Sequence, residues 1–157
     1  MEQISNRALI SRLYSSAENR LSEIGYDLQN WQQWYDAVQS LTGPEKMVYV
    51  IVKMNQTITN GGFAEFYESS IGVFAPEIIH ALTEIKADAS AEIVSISLPV
   101  VNPFSLLDDE FKSLVFNINL NQQQKKQLYT QDVLYDQLQG QENLEDLLGN
   151  YLQDFIK

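Results

Sequence analysis

The chain has 157 residues, no cysteine and a formal charge of −11 from 10 basic and 21 acidic side chains. That length allows one hydrophobic core, and the missing cysteines exclude a disulfide framework, a thiolate metal site and a cysteine nucleophile. The charge repels nucleic acid and anionic membrane and attracts basic proteins, and a polar N-terminal stretch without any apolar run of membrane length leads us to expect a cytoplasmic protein with neither signal peptide nor anchor.

Apolar residues recur at three and four through Leu9, Leu13, Ala17, Leu21 and Ile24, which predicts an amphipathic helix ended by Gly25. Asn30 is placed to cap a second helix that carries Trp31, Trp34, Tyr35, Val38 and Leu41 on one stripe. Thr42, Pro44 and Glu45 open a third as cap, first-turn proline and capping-box carboxylate. Its apolar residues, from Met47 to Ile58, lie on more than one side and predict the most buried element.

Asn60-Gly61-Gly62-Phe63 follows. Both glycines can take positive φ and Asn60 tolerates it, so the stretch is expected to close one helix in a left-handed cap and start the next, a structural turn rather than a phosphate loop. Phe63, Phe66 and Tyr67 mark a short helix to Ser70. Pro76 opens another through Ile85, and Ser90 caps one through Ile93, Val94 and Ile96. Pro99 and Pro103 are expected to break the chain into an apolar connection, after which Ser105 caps a helix beginning with Asp108, Asp109 and Glu110. Residues 117–127 read as a loop or weak helix. Helices over residues 128–138 and 144–156 complete an all-α single domain, residues 1–157, of about seven or eight helices.

Charge is unevenly spread. Residues 1–53 carry −1 and residues 112–157 carry −2, whereas residues 54–111 carry nine acids against Lys86 alone. Glu77, Glu92, Asp108, Asp109 and Glu110 sit in expected helix N-terminal turns, where the macrodipole favours negative charge. Glu65, Glu68, Glu84 and Asp88 have no such local reason. Spacings of seven and four place Glu77, Glu84 and Asp88 on one helix face, the first two about 10 Å apart along the axis. Duplex DNA presents a phosphate every ~3.4 Å per strand, so acids at such intervals offer a coarse copy of that row to a basic DNA-binding surface.

Reactive constellations are sparse. His80 is the single histidine, and Glu-x-x-His once is half of a di-iron site. Neither a zinc ligand set nor a nucleophile motif is present, so no catalytic residue, metal or cofactor is expected. Three rivals to a DNA mimic stay open: an immunity-type protein neutralising a toxin such as a nuclease, an enzyme with carboxylates of shifted pKa in a pocket, and a helical scaffold whose acidity serves only solvation.

The residues Leu41-Thr-Gly-Pro-Glu-Lys-Met-Val-Tyr49, Asn60-Gly-Gly-Phe63, Glu65-Phe-Tyr67, Ser69-Ser70, Ala75-Pro-Glu77, Ala81-Leu82 and Ile85 resemble the bacterial DNA-mimic protein family over a core of residues 41–103. A looser likeness covers Leu134-Tyr135, Leu144-Glu-Asp-Leu-Leu148 and Tyr151. This chain has Thr59 where the family has a second Asn, and Ile71 inserted in a Ser-Ser-Gly stretch. The resemblance implies an all-helical acidic protein that occupies the DNA-binding face of a helix-turn-helix transcription factor, with a homodimer as an option. The partner-binding surface expected from charge and resemblance together comprises Glu65, Glu68, Glu77, Glu84, Asp88, Glu92, Asp108, Asp109 and Glu110. The expected partner is a basic protein, with a DNA-binding protein as the leading kind, rather than nucleic acid or membrane.

Overall fold

Ser5 accepts a hydrogen bond from the Ala8 N–H and starts α1 (Asn6–Ile24), and Gly25 at φ 69° ends it. Asn30 caps α2 (Trp31–Gln39) in the same way. The computed structural model describes residues 4–25 and 30–156; residues 1–3 of the polar N-terminal stretch, residues 26–29 and Lys157 lie outside the described residues. Beyond α2 come α3 (Gly43–Glu68), a 3₁₀ turn (Ile71–Phe74), α4 (Ala75–Glu84), α5 (Asp88–Val101), α6 (Asp108–Phe116), α7 (Gln122–Leu138) and α8 (Leu144–Phe155). The described residues contain no strand, and the fold class is all-α as expected.

They group into two compact units, one spanning Met1–Val52 with Asn143–Lys157 and one spanning Lys53–Glu142. In the first, α1 packs on α8. A Cβ on Gly149 would lie 2.3 Å from Asn6 Cβ, so glycine lets the two helices approach closely, and Asn6 donates to Asn150 at 3.1 Å across the contact. The predicted tryptophan stripe is partly core: Trp34 is buried and donates its indole N–H to Tyr49, on which Tyr14 stacks, while Trp31 stays exposed. Glu45, expected as a capping-box carboxylate, takes the Thr42 hydroxyl rather than a backbone N–H. Buried, it accepts from Thr42 Oγ1 at 2.7 Å, Ser16 Oγ at 2.8 Å and Arg20 Nε at 3.0 Å. Burial alone would push its carboxyl up, yet the hydrogen bonds from Thr42 and Ser16 and the Arg20 guanidinium hold it below the ordinary glutamate value.

In the second unit α5 packs against both α4 and α7, and the 3₁₀ turn contacts α4 and α6. Phe63, Phe66, Tyr67, Phe74, Ile78, Leu82, Leu128 and Tyr135 are buried. Ser97 Oγ donates to the Val94 carbonyl at 2.6 Å. Its one proton is thereby used, so in the 2.7 Å contact between Tyr67 and Ser97 the tyrosine is the donor. Burial pushes the Tyr67 hydroxyl far up, against the opposing pull of the Ser97 contact. Tyr135 donates to Asn55 Oδ1 at 2.6 Å.

Several expected boundaries differ. α5 begins at Asp88, two residues before the expected cap, because Glu142 supplies the cap from afar. Its Oε2 accepts the Ala89 N–H at 3.1 Å and its Oε1 the Ser90 N–H at 2.9 Å, and the Ser90 hydroxyl donates to it too. The helix then runs through Pro99 to Val101 instead of breaking. Pro99 and Ser95 are both exposed, so the carbonyl left without its helical N–H partner lies on the solvent side. Ser105 caps nothing: it takes φ 55°, and Leu107 is the α6 cap position. Within residues 117–127, Asn121 and Gln124 form a full capping box that starts α7 at Gln122.

At Asn60-Gly61-Gly62-Phe63 one helix ends and the next starts at once, as expected, and the two halves of α3 meet across a kink. Gly62 alone departs from helical geometry, at φ 74° and ψ −173°, a region open essentially to glycine and distinct from the expected left-handed cap. Helix resumes at Phe63, whose N–H donates to Asp132 Oδ1 of α7 at 2.7 Å. A Cβ on Gly62 would stand 2.4 Å from Asp132 Oδ2. The carboxylate thus needs the glycine's empty space to reach the restarted helix.

Gly62→Ala is expected to destabilise the fold by about 2 kcal/mol or more, through both the φ and the contact. Asp132→Asn keeps an acceptor for Phe63 and should cost less than Asp132→Ala. Burial pushes the Asp132 carboxyl up, partly opposed by the Phe63 N–H. Its charge therefore weakens folding above the folded value, and that penalty disappears below the unfolded value of about 3.9. Urea unfolding should show the wild type gaining stability relative to Asp132→Asn as pH falls from about 7 to about 4; a relative loss would contradict the assignment.

Candidate acidic interface

Twelve acids and five bases fall within residues 53–142, and the acids divide by what they touch. Asp132 and Glu142 turn inward onto helix starts. Of the nine singled out from the sequence, Glu65, Glu68, Glu84, Asp88, Glu92, Asp108, Asp109 and Glu110 are exposed and Glu77 is half-buried. Asp136 is exposed as well. Asp109 pairs with Lys112 at 3.1 Å. Among the described residues, Glu65, Glu68, Asp88, Glu92, Asp108 and Glu110 make no ion pair with a cation.

Helix ends redistribute the reasons for these charges. Glu77 is in the first turn of α4, and Asp108, Asp109 and Glu110 form the first turn of α6. Asp88 opens α5, so it has the helix-start reason assigned above to Glu92, which lies a turn further in. Because α4 stops at Glu84 and Lys86 takes φ 69°, Asp88 belongs to a different helix from Glu77 and Glu84. The expected common face of all three reduces to Glu77 and Glu84, seven residues apart on α4.

Glu68 and Glu84 stand out. Each is the last residue of its helix, where the macrodipole disfavours negative charge. Glu65 lies in the first turn after the Gly62 kink. Neither capping nor the dipole explains the carboxylates at the two C-terminal ends, and both are exposed.

His80 is exposed on α4. Among the described residues no group of three or more His, Asp or Glu is placed to hold a metal ion, and no helix is long and apolar enough to cross a membrane. An open groove of about 600 Å³ along α7 is lined by Gln122, Gln123, Lys126, Gln127 and Thr130 and brings no two carboxylates together. The sequence reading missed Asp132 and Glu142. They act across 69 and 52 residues respectively, so no local pattern marks them.

Glu68→Gln removes a charge from an unfavourable helix end and is expected to leave the melting temperature unchanged or raise it, whereas Glu110→Gln in the first turn of α6 should lower it by about 1–3 °C at low salt. Calorimetry of the two variants checks the contrast; a larger loss with Glu68→Gln would assign that carboxylate to the fold.

A family model described as DMP19-like protein matches residues 39–155. No curated protein and no solved structure matches the chain. The matched stretch covers most of the chain, including the Gly62 kink, all nine acids from Glu65 to Glu110 and α8, and the protein belongs to the DMP19-like protein family.

Proposed function

We propose that this protein is a non-catalytic DNA mimic whose outward carboxylates occupy the basic DNA-binding surface of a transcription factor or other DNA-binding protein. The observation that carries the reading is the exposure of eight of the nine acids between Glu65 and Glu110, in a chain of the DMP19-like family. Glu68 weighs most, because it sits where helix electrostatics opposes it. Residues 53–142 carry a net charge of −7, enough to steer a basic partner at low ionic strength. The attraction of exposed carboxylates for a basic partner is screened beyond ~8 Å at physiological salt.

The test is affinity capture from native lysate at low salt, with the retained protein released by a salt gradient and by short duplex DNA. A DNA-binding partner should be displaced by both. Replacing Glu65, Glu68, Glu84 and Asp88 together by Lys should abolish its retention. Undiminished retention by that variant would overturn the reading, and a captured nuclease whose toxicity the protein relieves would replace it with an immunity role.

A further inference from the structure

The chain between α5 and α6 holds the two most exposed large apolar side chains among the described residues, Phe104 at 84% and Leu107 at 73%. Their position is built. Asn102, 9% exposed, donates from Nδ2 to the Leu106 carbonyl at 3.0 Å and accepts the Leu106 N–H on Oδ1 at 2.9 Å, closing the segment into a ring. Ser105 N–H donates to the Asn102 carbonyl at 3.2 Å, and Leu106 between the two exposed residues is half-buried. A clamp of this kind fixes the backbone so that Phe104 and Leu107 remain in water, where each gives up the free energy of burial. An isolated exposed leucine needs no explanation; an aromatic and a leucine held out together by a buried side chain do.

Charge surrounds the pair on the C-terminal side. Asp108, Asp109 and Glu110 follow Leu107 directly and are exposed. We propose that Phe104 and Leu107 are an apolar anchor within the acidic interface, and that they fit a basic protein surface that carries an apolar contact among its Lys and Arg. This rests on the binding reading above and deepens it. Interfaces draw most of their affinity from a few aromatic and apolar side chains that lose water, while the charges around them set approach and orientation. The anchor also separates a protein partner from nucleic acid, since a duplex offers no basic surface to Asp108, Asp109 and Glu110.

Two synthetic helical peptides of equal positive charge test the proposal, one alternating Lys with Ala and one carrying a Leu stripe beside the same lysines. The wild-type protein should bind the Leu peptide about tenfold or more tightly. Phe104→Ser/Leu107→Ser, with Phe104→Ser alone as the milder variant, should erase that preference while keeping the affinity for the Ala peptide and the circular-dichroism melting curve. Equal affinity of the wild type for both peptides, or a preference that survives the substitutions, overturns the anchor and leaves the acidic reading standing. Binding of neither peptide counts against both. Sedimentation that shows wild-type self-association lost in the variant would assign the pair to a second copy and overturn the proposal.

Discussion

Asp132 lies against the bare backbone of Gly62 and accepts the N–H of Phe63, the first residue of the helix that restarts there. That contact joins α7 to the kink of α3, and much of residues 53–142 follows from it. With the helix redirected at Gly62, Phe63, Phe66 and Tyr67 enter the core, Phe63 meeting Tyr135 edge to face. Tyr67 reaches Ser97 of α5, and Glu142 beyond the end of α7 caps the start of α5. Each of these contacts satisfies a polar group that burial would otherwise penalise by ~1–3 kcal/mol.

A division of labour among the acids results. Asp132 and Glu142 in this unit, and Glu45 in the other, are held by hydrogen bonds to backbone or side chains and belong to the fold. Among the described residues, Glu65, Glu68, Asp88, Glu92, Asp108 and Glu110 make no ion pair with a cation. Some stabilise helix starts, but Glu68 and Glu84 oppose the dipoles of their own helices. Glu68, exposed, outside any ion pair and opposed by its own helix dipole, is the kind of carboxylate that a surface attracting a basic partner would contain. Phe104 and Leu107 extend the same argument to apolar groups, since the Asn102 clamp holds them where the fold gains nothing from them.

Much of the architecture was legible because it is local. Ser5 and Gly25 bound α1, Asn30 starts α2, and the stripe from Leu144 to Phe155 gives α8. The differences at Ser90 and Gly62 share a cause, a partner distant in the chain. Ser90 was read as a cap because its type and position fit, yet the acceptor is Glu142, 52 residues away. Gly62 is marked as special by its type, but its reason is the Asp132 carboxylate, 70 residues on, so the kind of bend is not written locally. Pro99 predicts a break, but an exposed helix face tolerates it. Spacing alone put Asp88 on the face of Glu77 and Glu84, and the turn at Lys86 separates it. The acidity of the middle third was plain in the sequence, whereas the inward use of Asp132 and Glu142 required the fold.

Carboxyl footprinting with a water-soluble carbodiimide and an amine label tests the central claim most directly, because each acid reports separately by mass spectrometry. Labelled free and in complex with the retained partner, the protein should show reduced modification of Glu65, Glu68, Glu84, Asp88, Glu92, Asp108, Asp109 and Glu110, with Glu145 and Asp146 of α8 modified as before. Protection of Glu145 and Asp146, with the acids from Glu65 to Glu110 labelled at their free rates, would contradict the account.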